Sequence, residues 1–138
     1  VFDESQGLLI REYHSKKGLK HGEEIEYFPG TDTPRISLSW RNNAIQGTIK
    51  TWYDNGALES KREFYDNKKN GLSMGWYRDR SLMIIEEYDS DALVKGGYFE
   101  KGKKKPLTTV SQGSGTASLF DEEGFLIKKI IYKEGLPE

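Results

Sequence analysis

Cysteine is absent from this chain, which excludes a disulfide framework, a thiolate metal site and a thiol nucleophile. Histidine is almost as scarce: only His14 and His21 occur, seven residues apart and without HExxH spacing. An odd separation along a strand sends two side chains to opposite faces, so the pair points to no metal centre and both are expected in solvent at a turn. Charge of one sign is also missing. With 21 Lys and Arg against 22 Asp and Glu, the net charge of −1 supplies no overall field to hold nucleic acid. Long apolar runs are lacking too. Leu8-Leu9-Ile10 and Leu82-Met83-Ile84-Ile85 fall far short of the roughly 18 residues that span a bilayer.

Catalytic signatures are wanting in the same way. Gly113-Ser114-Gly115 lacks the third Gly and the Lys-Ser/Thr of a phosphate loop and opens no helix. No G-x-S-x-G elbow occurs. Asp89-Ser90-Asp91 begins like a calcium loop, but Leu93 and Val94 stand where ligands and the turn Gly would follow. The adjacent carboxylates Glu86-Glu87 and Glu122-Glu123 diverge on a strand. A non-catalytic chain with neither cofactor nor metal is therefore expected. It begins at Val1 rather than Met, so an upstream segment is expected, with room for a signal peptide. The compartment stays open between cytoplasm and a secreted or periplasmic site.

What is present points to a thin sheet. Hydrophobic residues make up 35% and charged residues 31%, which is lean for a thick core. Aromatics nevertheless reach 12% and Gly occurs 15 times, whereas disordered chains are poor in aromatics. A few large rings per strand, each burying roughly 150–250 Å², fit a single layer better.

An internal period organises the chain. An aromatic three residues ahead of Gly recurs as Tyr27-Phe28-Pro29-Gly30, Tyr53-Asp54-Asn55-Gly56 and Phe99-Glu100-Lys101-Gly102, and more loosely as Phe2–Gly7 and Phe120–Gly124. In the copy at Tyr77, Arg80 replaces the Gly. Gly22, Gly47 and Gly71 open inbound strands at spacings of 25 and 24, while Trp40, Phe64 and Tyr88 fall 24 apart on outbound ones. No helical window competes. The spacing predicts an all-β, elongated antiparallel meander of stacked hairpins, about 24 residues each, forming one array over 1–138 that is clearest over 18–88 and degenerate, capping or inserted, over 89–138.

Period-2 alternation assigns faces. Ile25, Tyr27, Trp52, Leu72, Met74 and Trp76 line the buried side of the inbound strands. Ile36, Leu38, Trp40, Leu58, Phe64, Leu82, Ile84 and Tyr88 do so on the outbound strands. Polar alternates face water, as in an antiparallel meander wet on one side. Lys50, Arg62 and Glu86 fall on the buried parity and must lie at an edge, pair or snorkel. Asn55-Gly56 marks one row of turns; Asn42-Asn43, Asp66-Asn67 and Asp89–Asp91 mark the other. Between Lys101 and Gly115 the period breaks, and Pro106 predicts an edge or bulged strand.

Gly18-Leu19-Lys20-His21-Gly22, the run Trp52–Leu58 and Tyr65–Gly71 together resemble a MORN repeat (membrane occupation and recognition nexus). The variant form in bacterial proteins classed as YwqK-family antitoxins is the nearer likeness. The likeness covers about Gly18 to Tyr88 and not Lys101–Gly115. It implies a single-layer β solenoid in which Gly22, Gly47 and Gly71 make room for a neighbouring aromatic. It also implies a scaffold, dimerisation or attachment role, with any enzyme activity residing in a separate domain.

Three surfaces are the candidates for function. Phe28, Tyr53 and Tyr77 point away from the aromatic ladder, among small polar residues, either to bind a protein or to shield the backbone. Phe125, Ile127, Ile130 and Tyr132 lie in a closing strand that is apolar at both parities, suited to pairing with another protein or with a second copy, with Lys128 and Lys129 setting register. Lys101, Lys103, Lys104 and Lys105 would attach weakly to anionic lipid, or simply form a solvated, edge-protecting loop. The expectation is a protein-interaction or scaffold module, antitoxin-like, with another protein as partner and no nucleic acid. Peripheral membrane binding through 101–105 is the alternative.

Overall fold

The computed structural model describes residues 14–138 in full, and before them only the strands β1 (Phe2–Asp3), β2 (Leu8–Leu9) and β3 (Arg11–Glu12). The turn expected at Phe2–Gly7 lies outside the described residues. Every further element is a strand. The short pair β4 (Ser15–Lys16) and β5 (Leu19–Lys20) leads into β6 (Gly22–Tyr27), β7 (Pro34–Arg41), β8 (Ala44–Ile45), β9 (Gly47–Trp52) and β10 (Leu58–Tyr65). Beyond these come β11 (Lys68–Trp76), β12 (Leu82–Asp89), β13 (Ala92–Tyr98), β14 (Thr108–Ser111), β15 (Ser114–Phe120), β16 (Leu126–Lys133) and β17 (Leu136–Pro137). One thirteen-stranded sheet runs β3-β6-β7-β9 and then in strict chain order to β17, with β8 appended to β7. The chain is an all-β antiparallel meander of hairpins, and no helix occurs among the described residues.

One row of turns sets the pitch. Lys17-Gly18, Asn42-Asn43, Asp66-Asn67, Ser90-Asp91, Gln112-Gly113 and Glu134-Gly135 each place both residues at positive φ, the signature of the tight turn whose twist matches the strands it joins. From Asn42-Asn43 onward the turns recur at intervals of 24, 24, 22 and 22 residues. The Lys101–Gly115 stretch thus shortens the period rather than ending it. The expectation for Pro106 is corrected: it lies in the loop before β14, and β14 is an interior strand between β13 and β15.

The single buried face also needs correction. Directly opposed residues of an antiparallel pair project to the same side. Met74 is opposed to Ile85 and Gly75 to Ile84, so Ile84, Glu86 and Tyr88 share a side with Ser73 and Gly75, away from Leu72 and Met74. The cause is a bulge beside four turns of the opposite row, those after β6, β9, β11 and β15. The register slips so that Arg35, Glu59, Met83 and Ile127 are left without an opposed partner, and each extra residue inverts the parity of the strand beyond it. Trp52 and Trp76 do stay on one side, because Lys61 opposes both Lys50 and Met74, two residues before each Trp.

Burial concentrates on the side of Ser73 and Gly75. The core is Tyr88, Leu93, Tyr98, Val110 and Ala117, with Ile84, Leu119, Ile130 and Tyr132 packed against it. Leu72, on the other side, remains 47% exposed. Gly22, Gly47 and Gly71 stand opposite Trp40, Phe64 and Tyr88. Yet the atoms nearest a Cβ there belong to His14, Ser39 and Glu63 rather than to the rings. Their φ values of +87, +98 and +103 are the reason for glycine, so the aromatic-accommodating role is corrected to a conformational one.

Candidate functional site

Both rows of turns are stitched across the sheet. In the tight row, the Asn43, Asn67 and Asp91 side chains accept the backbone N–H of Lys20, Ile45 and Lys69 at 2.7, 2.7 and 2.8 Å. The same three residues donate their own N–H to the carbonyls of those partners. This reciprocal pair locks each hairpin to the preceding one. The signal was in the sequence as an Asn or Asp every 24 residues, but only the fold shows whom it addresses.

In the other row the expected protein-binding aromatics are used internally. Tyr53 is 4% and Tyr77 0% exposed. The Tyr53 hydroxyl donates to the Trp76 carbonyl at 2.6 Å, and that of Tyr77 to the Phe99 carbonyl at 2.7 Å. Each ring therefore ties its turn to the end of the next hairpin, and the expectation of a partner-binding face is corrected for both. Burial, followed by nearby carboxylates (Glu59 for Tyr53, Glu100 for Tyr77), pushes both hydroxyls up to about 12. Phe28, which has no hydroxyl, is half-buried. It lines, with Tyr53 and Trp52, an open groove of about 540 Å³. Both arginines of that groove are already engaged: Arg78 lies over the Tyr53 ring, 5.2 Å from its centroid, and pairs with Asp54, while Arg35 pairs with Glu26 at 2.7 Å.

Of the charged residues of odd parity, Lys50 and Arg62 lie on the interior strands β9 and β10 rather than at an edge, and Glu86 is held by hydroxyls. Glu86 accepts the Tyr88 hydroxyl at 3.0 Å and the Tyr98 hydroxyl at 2.7 Å. Burial first, and the charge of Glu86 second, raise both tyrosines far above their ordinary range. His21 donates its backbone N–H to His14. His14 is exposed, but His21 is half-buried with Nδ1 unpartnered among the described residues, which corrects the expectation of solvent for the second histidine. No group of three or more His, Asp or Glu that could hold a metal ion occurs among the described residues, and no helix is long and apolar enough to cross a membrane.

The closing strand is divided. Ile130 and Tyr132 are half-buried against the core. Phe125, Leu126, Ile127 and Ile131 are 71%, 49%, 63% and 57% exposed. β17 covers only the far end of β16, opposing Tyr132 and Lys133. Glu138 donates to the Ile131 carbonyl, so the Ile131 polar groups face outward. Those of Lys129, two residues back, face the same way, where no strand pairs among the described residues. Lys101, Lys103, Lys104 and Lys105 are all exposed. The place a Gly124 Cβ would occupy lies 3.1 Å from the Lys101 Cβ, which sets the basic loop beside the turn that bears Asp121, Glu122 and Glu123. No protein-family model, curated protein or solved structure matches the chain.

Proposed function

We propose that this chain is a non-catalytic protein-interaction module, of the MORN-like kind its glycine and aromatic spacing resembles, that captures an extended segment of a partner along the edge of β16 left unpaired by the described residues. The observation that carries this reading is the middle of that strand, which no strand pairs among the described residues and which is flanked by Phe125, Ile127 and Ile131, all more than half exposed. An edge of unpaired N–H and C=O groups is a template for another strand, and adding one gains main-chain hydrogen bonds while side-chain pockets set specificity. Lys128 and Lys129 sit at its centre. Antiparallel self-pairing there would bring like charges of two copies together, which destabilises a ladder; a partner segment that alternates apolar and acidic residues is complementary. An antitoxin-like activity, holding a strand of a toxin, is one form this takes. Attachment to anionic lipid through Lys101–Lys105 has less support, because Asp121, Glu122 and Glu123 stand beside that loop.

Two labelled synthetic peptides test the reading, one alternating Val with Glu and one alternating Val with Lys, each titrated against the chain by fluorescence anisotropy. The acidic peptide should bind and the basic one should not. Lys129→Pro, which removes one outward N–H at an edge that tolerates proline, should abolish binding without loss of the fold. Equal binding of both peptides, or binding indifferent to Lys129→Pro, would discard it. A wild-type dimer by light scattering that Lys129→Pro splits would replace it with self-pairing.

A further inference from the structure

We infer a second binding site, independent of the β16 edge, that takes a small zwitterion of the α-amino-acid type with an apolar side chain. Arg62, Ser73, Glu86 and Gly96 are directly opposed in turn across β10, β11, β12 and β13. They form one row on the buried side of the sheet. Neighbouring strands lie about 4.8 Å apart, so Arg62 and Glu86 stand two rungs apart with Ser73 between them. The C-terminal strands curl over this row and leave a cavity of about 320 Å³. Its polar floor is Arg62, Ser73 and Glu86, and Ile84, Leu119 and Ile130 form its apolar wall. That volume lies at the small end of ligand sites, about 300–1,000 Å³, which suits one small molecule.

Three groups in the row are incomplete. Ser73 is 5% exposed, and its Oγ has no hydrogen-bond partner among the described residues, although buried hydroxyls are ordinarily satisfied. Glu86, 9% exposed, takes one tyrosine hydroxyl on each oxygen. A carboxylate has about four acceptor positions, so two remain open, and no cation pairs with it among the described residues. A buried charge without a counter-charge is costly. Arg62 is exposed at the mouth and likewise has no ion pair among the described residues. Lys69, its ammonium 4.9 Å from the centroid of the Tyr88 ring, adds positive charge at the rim.

An α-amino acid completes all three. Its ammonium meets the open positions of Glu86. Its carboxylate takes the guanidinium of Arg62, whose fork matches a carboxylate, and the hydroxyl of Ser73. Its side chain lies on Ile84, Leu119 and Ile130. Size and wall chemistry favour leucine or methionine over charged or aromatic side chains.

Calorimetric titration of the intact chain with L-leucine, isopentylamine and 4-methylpentanoate separates the contributions. L-leucine should bind saturably, and each half-molecule roughly tenfold or more weakly, as expected when one charged contact is lost. Arg62→Gln should weaken leucine but not isopentylamine. Ser73→Ala, which removes an unsatisfied buried hydroxyl, should raise the melting temperature of the free chain and weaken leucine, a split that a merely structural serine would not give. Glu86→Gln should abolish binding; because that residue is buried, the Arg62 and Ser73 variants decide the matter if it does not fold. No saturable binding of L-leucine or L-methionine at about 10 mM, where even a millimolar site is largely filled, overturns the site and leaves a water-filled cavity. Affinity unchanged in Arg62→Gln and Ser73→Ala overturns it as well.

Discussion

Arg80 is the one residue of its turn row, among the described residues, out of keeping with its backbone. Gly30, Gly56, Gly102 and Gly124 occupy the equivalent places at φ +74, +84, +77 and +97, and Arg80 sits at +74. A left-handed conformation costs an ordinary residue about 1–2 kcal/mol, partly offset in glycine by the entropy it loses on folding. Arg80→Gly should therefore stabilise the chain by about 0.5–1 kcal/mol, raising the melting temperature by about 2–4 °C. A lower melting temperature would mean that the arginine side chain makes a contact worth more than the strain. The substitution was legible in the sequence as a gap in the Gly pattern. The fate of the turn tyrosines was not: Tyr53 and Tyr77 look like surface aromatics among small polar neighbours, and only a carbonyl 22 or 23 residues further on makes them internal ties.

Within β16 the two faces of one strand carry different duties, so neighbouring isoleucines should respond differently. Ile130 packs on the core and Ile131 is 57% exposed. Ile130→Ala should cost about 2–4 kcal/mol, within the usual range for truncating a core isoleucine, whereas Ile131→Ala should stay within about 0.5 kcal/mol, both read from urea unfolding midpoints. Equal effects would mean that β16 is rotated from this placement. The strands and tight turns from Asn42 to Asp91 were readable from Gly, Asn and Asp, whereas the turns at Gln112-Gly113 and Glu134-Gly135 carry no Asn or Asp. Facing was not, because the bulge residues Arg35, Glu59, Met83 and Ile127 share no chemistry that sets them apart from ordinary strand residues. Each of these four residues inverted the alternation of the strand beyond it.

Taken as a whole, the molecule uses four tyrosine hydroxyls, those of Tyr53, Tyr77, Tyr88 and Tyr98, as ties between strands, and that makes it sensitive to alkali. The Tyr53 and Tyr77 hydroxyls are raised from 10.0 to about 12 in the folded chain, and those of Tyr88 and Tyr98 further. A hydroxyl that holds its proton more tightly when folded contributes stability that is full below the unfolded value and is lost as pH rises through the folded one. Urea midpoints should be unaffected by these groups up to about pH 9 and fall between about pH 10 and 12. The double variant Tyr53→Phe/Tyr77→Phe, less stable at neutral pH because it leaves two carbonyls without donors, should show a shallower alkaline fall. Identical slopes would remove these hydroxyls from the account.

The sequence by itself determined an all-β meander and most of the places where it turns, because positive φ favours Gly, Asn and Asp locally, with no reference to the rest of the chain, although Lys17, Arg80, Ser90, Gln112 and Glu134 adopt it too. It also determined that the lysines of 101–105 would be exposed, since four charges so close together have no buried solution. Only the tertiary structure decided which side of the layer is the interior, that Glu86 would be held by two tyrosines, and that Arg62, Ser73 and Glu86 would form one row over a cavity. Those outcomes depend on register and curl, which arise from bulges and from pairings between residues a dozen or more positions apart, and no local preference encodes them.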